Sequence, residues 1–245
     1  MLPNDLQKIM FLDIETVPHT SNYNDVLPEL IHIWEDKFSL IQKRMPEKYN
    51  VETTAEEAFH SSAGIYAEFG KIVCISVGFI HHQDNVMSFR TKSFAGDDEK
   101  KLLADFTALI LKFCTSKEHT LCGHNIKEFD IPFICRRLLI NGLPLPPIFH
   151  IAGKKPWEIN FIDTLELWRF GDYKNYTSLK LLAAVFGIPT PKDDIDGSQV
   201  ADVYYKEKDV DRIALYCQKD VLATAQVFLR MKGMELIATD HVQFL

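Results

Sequence analysis

Apolar and polar positions along the chain follow two periods, and the switch between them marks out the elements. Residues 8–12 (Lys-Ile-Met-Phe-Leu) form a short apolar run that stops at Asp13, which reads as a buried strand. Residues 72–80 read as a second strand and 85–90 as a third, with a polar turn at 81–84. Asp97 then caps a helix whose Leu102, Leu103, Phe106, Leu109, Ile110 and Phe113 share one face. Residues 120–123 make a fourth strand. Pro132 sits in the first turn of a helix that runs to Leu139 and stops at Asn141-Gly142. Residues 160–162 are a fifth short strand. Helices follow near 165–168, over 179–186 with Gly187 as the stop, over 198–205, and over 210–231.

Strands first, then alternating helix and strand, predict an α/β fold: a mixed five-stranded sheet with helices on its faces. The gap between the first two strands, residues 17–70, is long for a compact domain. Its pattern is partly helical, at 28–41 and 54–59, so it reads as an insertion packed beside the sheet. No linker, like-charge block, repeat or low-complexity tract divides the 245 residues, so one domain over 1–245 is expected.

Composition narrows the class further. The longest apolar runs are far too short to span a bilayer, and the N-terminal residues lack a signal-like core, so a soluble cytoplasmic protein with no membrane partner is expected. The five cysteines form no CxxC pair and fit a reducing compartment. A net charge of −7 runs against a broad nucleic-acid surface and predicts at most a short footprint near a site where cations offset carboxylates.

Three acidic elements stand out. In Asp13-Ile14-Glu15 the two acids share one strand face with no base beside them, so they need a cation or a shared proton; a solvated strand end explains them equally well. Asp130, in Gly123-His124-Asn125-Ile126-Lys127-Glu128-Phe129-Asp130-Ile131-Pro132, taken alone is better read as a helix N-cap. Tyr216 and Asp220 are four apart on a helix and share a face; taken alone, they are a chance pair.

The set is more specific than its parts. Its order resembles the DEDD superfamily of 3′→5′ exonucleases in the tyrosine subclass. It is most similar to the proofreading exonuclease domain of family B DNA polymerases and to stand-alone predicted exonucleases related to it. The segments 161–165, 178–182 and 195–200 share the likeness. In the histidine subclass the position five before the last Asp is His; here it is Leu215, with Tyr216 next to it.

The resemblance implies a ribonuclease H-like fold and a two-metal-ion hydrolase acting on the 3′ end of single-stranded or frayed nucleic acid, DNA first. It implies that Asp13, Glu15 and Asp220 hold one Mg²⁺ or Mn²⁺, that Asp13 bridges to a second, and that Asp130 holds the second. Tyr216 is implied to orient the attacking water. Thr16, Asn125 and Phe129 are candidate contacts to the terminal nucleotide; Phe129 could stack on a base but reads more readily as core.

Other features are set aside. His124 reads as hydrogen-bonded structure, His81-His82 as a surface turn, Asp163 as a helix cap, and Arg136-Arg137 as exposed helix charges. Lys154-Lys155-Pro156-Trp157 is either a nucleic-acid surface or a solvated loop around one buried Trp. The competing functions are a catalytically inactive nucleic-acid-binding protein on this fold and a ribonuclease H-like endonuclease or RNA exonuclease. Protein partners are not specified by the sequence.

Overall fold

The first apolar run becomes the central strand, and the rest of the chain is arranged around it. The computed structural model describes residues 3–83, 86–189 and 195–245. A one-turn helix α1 (Pro3–Leu6) leads into strand β1 (Ile9–Pro18), followed by helices α2 (Pro28–Arg44) and α3 (Ala55–Ser62). Then come β2 (Gly70–Gln83), β3 (Val86–Ala95), α4 (Glu99–Phe113), β4 (Thr120–Gly123) and α5 (Asp130–Ile140). The chain continues through β5 (Ile162–Asp163), α6 (Thr164–Arg169), α7 (Leu179–Val185), α8 (Val200–Asp202), α9 (Val210–Met231) and β6 (Val242–Phe244).

The six strands form one sheet in the order β5-β4-β1-β2-β3-β6. The β1–β2 and β2–β3 pairs are antiparallel; β1–β4, β4–β5 and β3–β6 are parallel. The mixed sheet with flanking helices matches the expectation. The sixth strand, β6, does not appear in the hydrophobic pattern, because three residues (Val-Gln-Phe) are too few to show a period. It gains its identity only by pairing with the edge of β3.

Strand alternation divides β1 between two cores. Met10, Leu12 and Ile14 join a cluster with Leu102, Phe106, Ile134 and Leu138 of α4 and α5. Ile9 and Phe11 face the other way, against Val221, Ala225 and Phe228 of α9. Each fully buried side chain of this kind stabilises by about 1.5–3 kcal/mol. The helix α9 lies close on the sheet, because Gly78 leaves space there: a Cβ would strike the ring of Phe89 and come within 2.9 Å of Val221 Cγ1. The period of two carries Asp13 and Glu15 onto this same face.

The residues between β1 and β2 build a small core of their own. Trp34 contacts Phe59 and Phe69 at 5.5 and 5.1 Å, and its indole N–H donates to Ala55 O at 2.7 Å. Thr54 and Glu57 form a capping box on α3. A buried ion pair then ties this region to α4 and α5. Arg137 donates to Glu99 at 2.8 and 2.5 Å and to Ala67 O at 2.9 Å, while Glu99 also accepts the Ile72 backbone N–H at 2.8 Å.

Several expectations are corrected. Arg137 is not an exposed helix charge: it is 4% exposed, buried because every one of these partners lies elsewhere in the sequence. The side chain of Asp98, not Asp97, caps α4, accepting the N–H of Lys101 at 2.9 Å. Asp97 instead accepts the hydroxyl of Tyr204 at 2.6 Å. His81 and His82 belong to β2, opposite Ser88 and Met87. The region expected as one helix over 198–205 is α8 followed by a π-helical turn, Val203–Glu207. Of the expected turn and third strand, Asp84 and Asn85 lie outside the described residues. Among the described residues no helix is long and apolar enough to cross a membrane.

Candidate active site

Three segments far apart in sequence meet where β1 runs on past the end of β4. The acids of β1 do not stand at a strand end, as the apolar run suggested; they lie in mid-strand, with Asp13 opposite Ser76 and Glu15 opposite Cys74 of β2. The register shift between Glu15 and Thr16 leaves the extra residue, Val73, in β2, so β1 keeps its alternation and Val17 follows Asp13 and Glu15 onto the α9 side, in a cluster with Cys74, Ile213 and Cys217.

The α9 face opposite them presents Tyr216, Cys217 and Asp220. Cys217 Sγ lies 3.5 Å from Asp13 Oδ2 and 3.4 Å from its carbonyl oxygen. Donor atoms of Asp13, Glu15 and Cys217 lie within 4.8 Å of one another. The phenol of Tyr216 hydrogen-bonds Asp220, as a pair one helical turn apart can.

Asp130 enters from the other side of β1. It is the first residue of α5, and Phe129 holds the N-cap position without a side-chain cap. The cap reading is therefore corrected: the Asp130 carboxylate accepts the backbone N–H of Ile14 as well as its own. That contact pulls it to β1 and leaves the helix end to the loop geometry.

The electrostatics record the convergence. Burial, and then the charges of Asp130, Glu15 and Asp220, hold the pKa of Asp13 well above the usual carboxylate range. Burial followed by Asp220, Cys74 and Asp130 does the same to Glu15. Burial and Asp163 raise Asp130 to about 7 against the two backbone hydrogen bonds that lower it. Burial and the neighbouring carboxylates also raise Tyr216, so its phenol stays protonated at neutral pH. Carboxylates this close without a cation must share protons. The cluster therefore fits a divalent ion, which would replace those protons and relieve the repulsion. The Cys217 thiol is pushed up by burial and stays protonated, so oxygen atoms are the available ligands.

Asp163 supports the cluster without joining α9. Its carboxylate accepts the backbone N–H groups of Asn125 and Lys127 at 3.0 and 3.1 Å, and of Leu165 and Glu166 at 2.9 and 3.3 Å. It thus caps α6, as expected, and at the same time fixes the loop before Asp130. Asn125 sits in that loop with φ of 63°, a left-handed conformation that Asn tolerates. Phe129 packs on Phe133 at 5.6 Å and on the main core, so the structure favours its core role. Thr16 is half-buried, one residue beyond the acids. His124 is structural, as expected: Nδ1 meets Thr164 Oγ1 and Nε2 meets Thr177 O, both at 2.9 Å.

Two features escape the sequence reading. Cys217 gives no chemical signal along the chain, though its place between Tyr216 and Asp220 puts it beside Asp13. Tyr176, in the segment after α6, has its pKa raised by burial and then by Asp130, Asp163 and Asp13. Its signal is three aromatics, Phe170, Tyr173 and Tyr176, spaced through an otherwise polar stretch. Trp157, by contrast, is 78% exposed beneath Lys155, not buried. It precedes β5, at the opposite end of the sheet from the acids, since β1, β4 and β5 run in parallel.

Residues 65–242 match the family described as a predicted 3′–5′ exonuclease related to the exonuclease domain of PolB. The match includes Asp130, Tyr216 and Asp220; it is the fold that brings Asp13 and Glu15 to them. No curated protein matches the chain. The family B DNA polymerase of the hyperthermophilic archaeon Pyrobaculum calidifontis is similar in fold, with a TM-score of 0.50 at 15% identity, over 91% of this chain and 24% of that one. The chain thus spans about a quarter of the polymerase. The shared architecture is a ribonuclease H-like α/β fold, a mixed sheet flanked by helices.

Proposed function

Because the chain belongs to the family of predicted 3′–5′ exonucleases related to the exonuclease domain of PolB, we propose that it hydrolyses phosphodiester bonds one nucleotide at a time from the 3′ end of single-stranded DNA. The observation that carries this reading is the convergence of acids from three distant segments: burial, together with the field of Asp130 and Asp220, holds the pKa values of Asp13 and Glu15 well above the usual carboxylate range.

Asp13, Glu15 and Asp220 would hold one hard divalent ion, Mg²⁺ or Mn²⁺, with Asp13 shared toward a second held by Asp130. Bound there, two such ions supply acidity for a water nucleophile and charge stabilisation for the leaving 3′ oxygen. The protein's own part is placement. Tyr216 stays protonated and is positioned by Asp220, so it orients the attacking water by hydrogen bonding and does not act as a base. Asp163 fixes the loop that presents Asp130. Thr16 and Asn125 remain the candidate contacts to the terminal nucleotide. A terminus entering this cleft beside the sheet has to be unpaired, which favours single strands and frayed ends.

The test is to incubate the purified protein with 5′-labelled single-stranded DNA, duplex DNA and RNA of one sequence, in Mg²⁺, Mn²⁺ or chelator. A one-nucleotide ladder on single-stranded DNA that needs the metal, with a circular strand left intact, is the expected result. Cleavage of the circle would establish an endonuclease instead. Binding without cleavage under every metal, or full turnover by a folded Asp13→Ala protein, would refute the reading.

A further inference from the structure

We propose that residues 169–176, between α6 and α7, form the surface that holds the single strand leading into the cleft. In this arrangement Phe170, Tyr173 and Tyr176 stack on successive bases and Arg169 pairs with a phosphate. The proposal rests on the exonuclease reading of the cleft and adds to it where the rest of the substrate lies.

The segment is fastened to the acid cluster at both ends. At its start, α6 is capped by Asp163, which also holds the loop before Asp130. At its end, Thr177 O meets His124 Nε2 at 2.9 Å, and the ring of Tyr176 lies 6.3 Å from that imidazole. The hydroxyl of Tyr176 lies within the field of Asp130, Asp163 and Asp13, while 64% of the residue is exposed.

Three large aromatic residues within seven positions stay out of every core: Phe170 is 92% and Tyr173 72% exposed. Such side chains ordinarily repay folding by burial. Phe170 moreover takes a left-handed backbone at φ of 44°, unusual for a bulky residue, without gaining any packing from it. Exposed rings in a row suit nucleobases, whose faces stack without regard to sequence.

The charge is complementary as well. Residues 169–180 carry Arg169, Lys174 and Lys180 against Asp172, a net +2 in a chain of −7. The guanidinium of Arg169 lies 5.8 Å from the Tyr173 ring centre. Its contact to Glu128 is long, at 3.4 Å, and its Nε is buried without a hydrogen-bond partner. The Arg169 side chain is only 14% exposed, so it pairs with a phosphate by turning outward from this weak contact. A comparable exposed cation–aromatic pair, Lys155 with Trp157, lies at the far end of the sheet.

The experiment compares two substrates. A 5′-fluorescein dT12 strand needs the whole surface; the 4-nitrophenyl ester of thymidine 5′-monophosphate presents one nucleotide. In Phe170→Ala/Tyr173→Ala, and separately in Arg169→Gln, the Kd for dT12 measured by anisotropy in Ca²⁺ is expected to rise about tenfold. The ratio of kcat/KM for dT12 to that for the ester in Mn²⁺ should fall by a similar factor. A Kd within twofold of the parent in both variants, with an unchanged ratio, would overturn the proposal, as would a parent protein that does not bind dT12. If the parent binds dT12 but hydrolyses neither substrate, the exonuclease reading fails, while the loss of binding in the variants still reports on the surface.

Discussion

Replacing Asp130 by Asn removes one of the buried carboxylates and tests whether its ionisation, opposed by burial and then by Asp163, costs the folded protein stability. Asp130 is 3% exposed, and its pKa stands at about 7 against an ordinary 3.8. Between those values the folded chain keeps a proton that the unfolded chain has lost. A carboxylate raised in this way makes the protein lose stability as pH rises through that window, by about 1.4 kcal/mol per pH unit. At pH 8 the ionised group therefore costs about 4 kcal/mol; at pH 5 the cost is under about 2 kcal/mol. The Asn amide oxygen can still accept the Ile14 N–H, but its NH₂ enters a buried site, at a cost of about 1–3 kcal/mol. The net expectation in EDTA is a gain of about 2 kcal/mol at pH 8 and almost none at pH 5. For a chain of this length that is a melting temperature higher by about 4–8 °C at pH 8 only. Thermal melts of both proteins at the two pH values measure it, and adding Mn²⁺ should stabilise the parent more than the variant. An Asp130→Asn protein no more stable than the parent at pH 8, or shifted equally at both pH values, would refute the electrostatic argument.

If, as proposed, the Tyr216 phenol orients the attacking water and does not ligate metal, Tyr216→Phe should lower kcat about ten- to hundredfold with little change in metal affinity; kinetics across Mn²⁺ concentration separate the two. Asp163→Ala should cost about 3 kcal/mol in urea unfolding, since four backbone N–H groups lose their acceptor, whereas Asp163→Asn should keep most of that stability. Arg137→Ala should cost about 3–5 kcal/mol by leaving Glu99 buried and unpaired, and Arg137→Ala/Glu99→Ala together should cost less than the sum.

Elements with many residues in one period are legible in the chain itself. The α9 limits, Val210–Met231, coincide with the 3.6-residue pattern, and β4 coincides with its four-residue apolar run. Asp163 is readable as a cap because a cap acts on the residues that follow it. The same local rule misplaces Asp130, whose carboxylate accepts, besides its own N–H, that of Ile14, more than a hundred positions away. Arg137 and Trp157 depart from expectation in opposite directions for one reason, that burial depends on what else arrives at the site.

Side-chain periodicity is local, and so the amino-acid order alone determined that Asp13 and Glu15 share a face and that Tyr216 and Asp220 share another. That the two faces look at each other was decided only by the packing of α9 across the sheet, through Phe11, Val221 and Phe228 and the space at Gly78. Repulsion between carboxylates exists only once they are within reach. The raised pKa values, the fit to a cation and the aromatic segment beside them belong to the folded protein and to no stretch of its sequence.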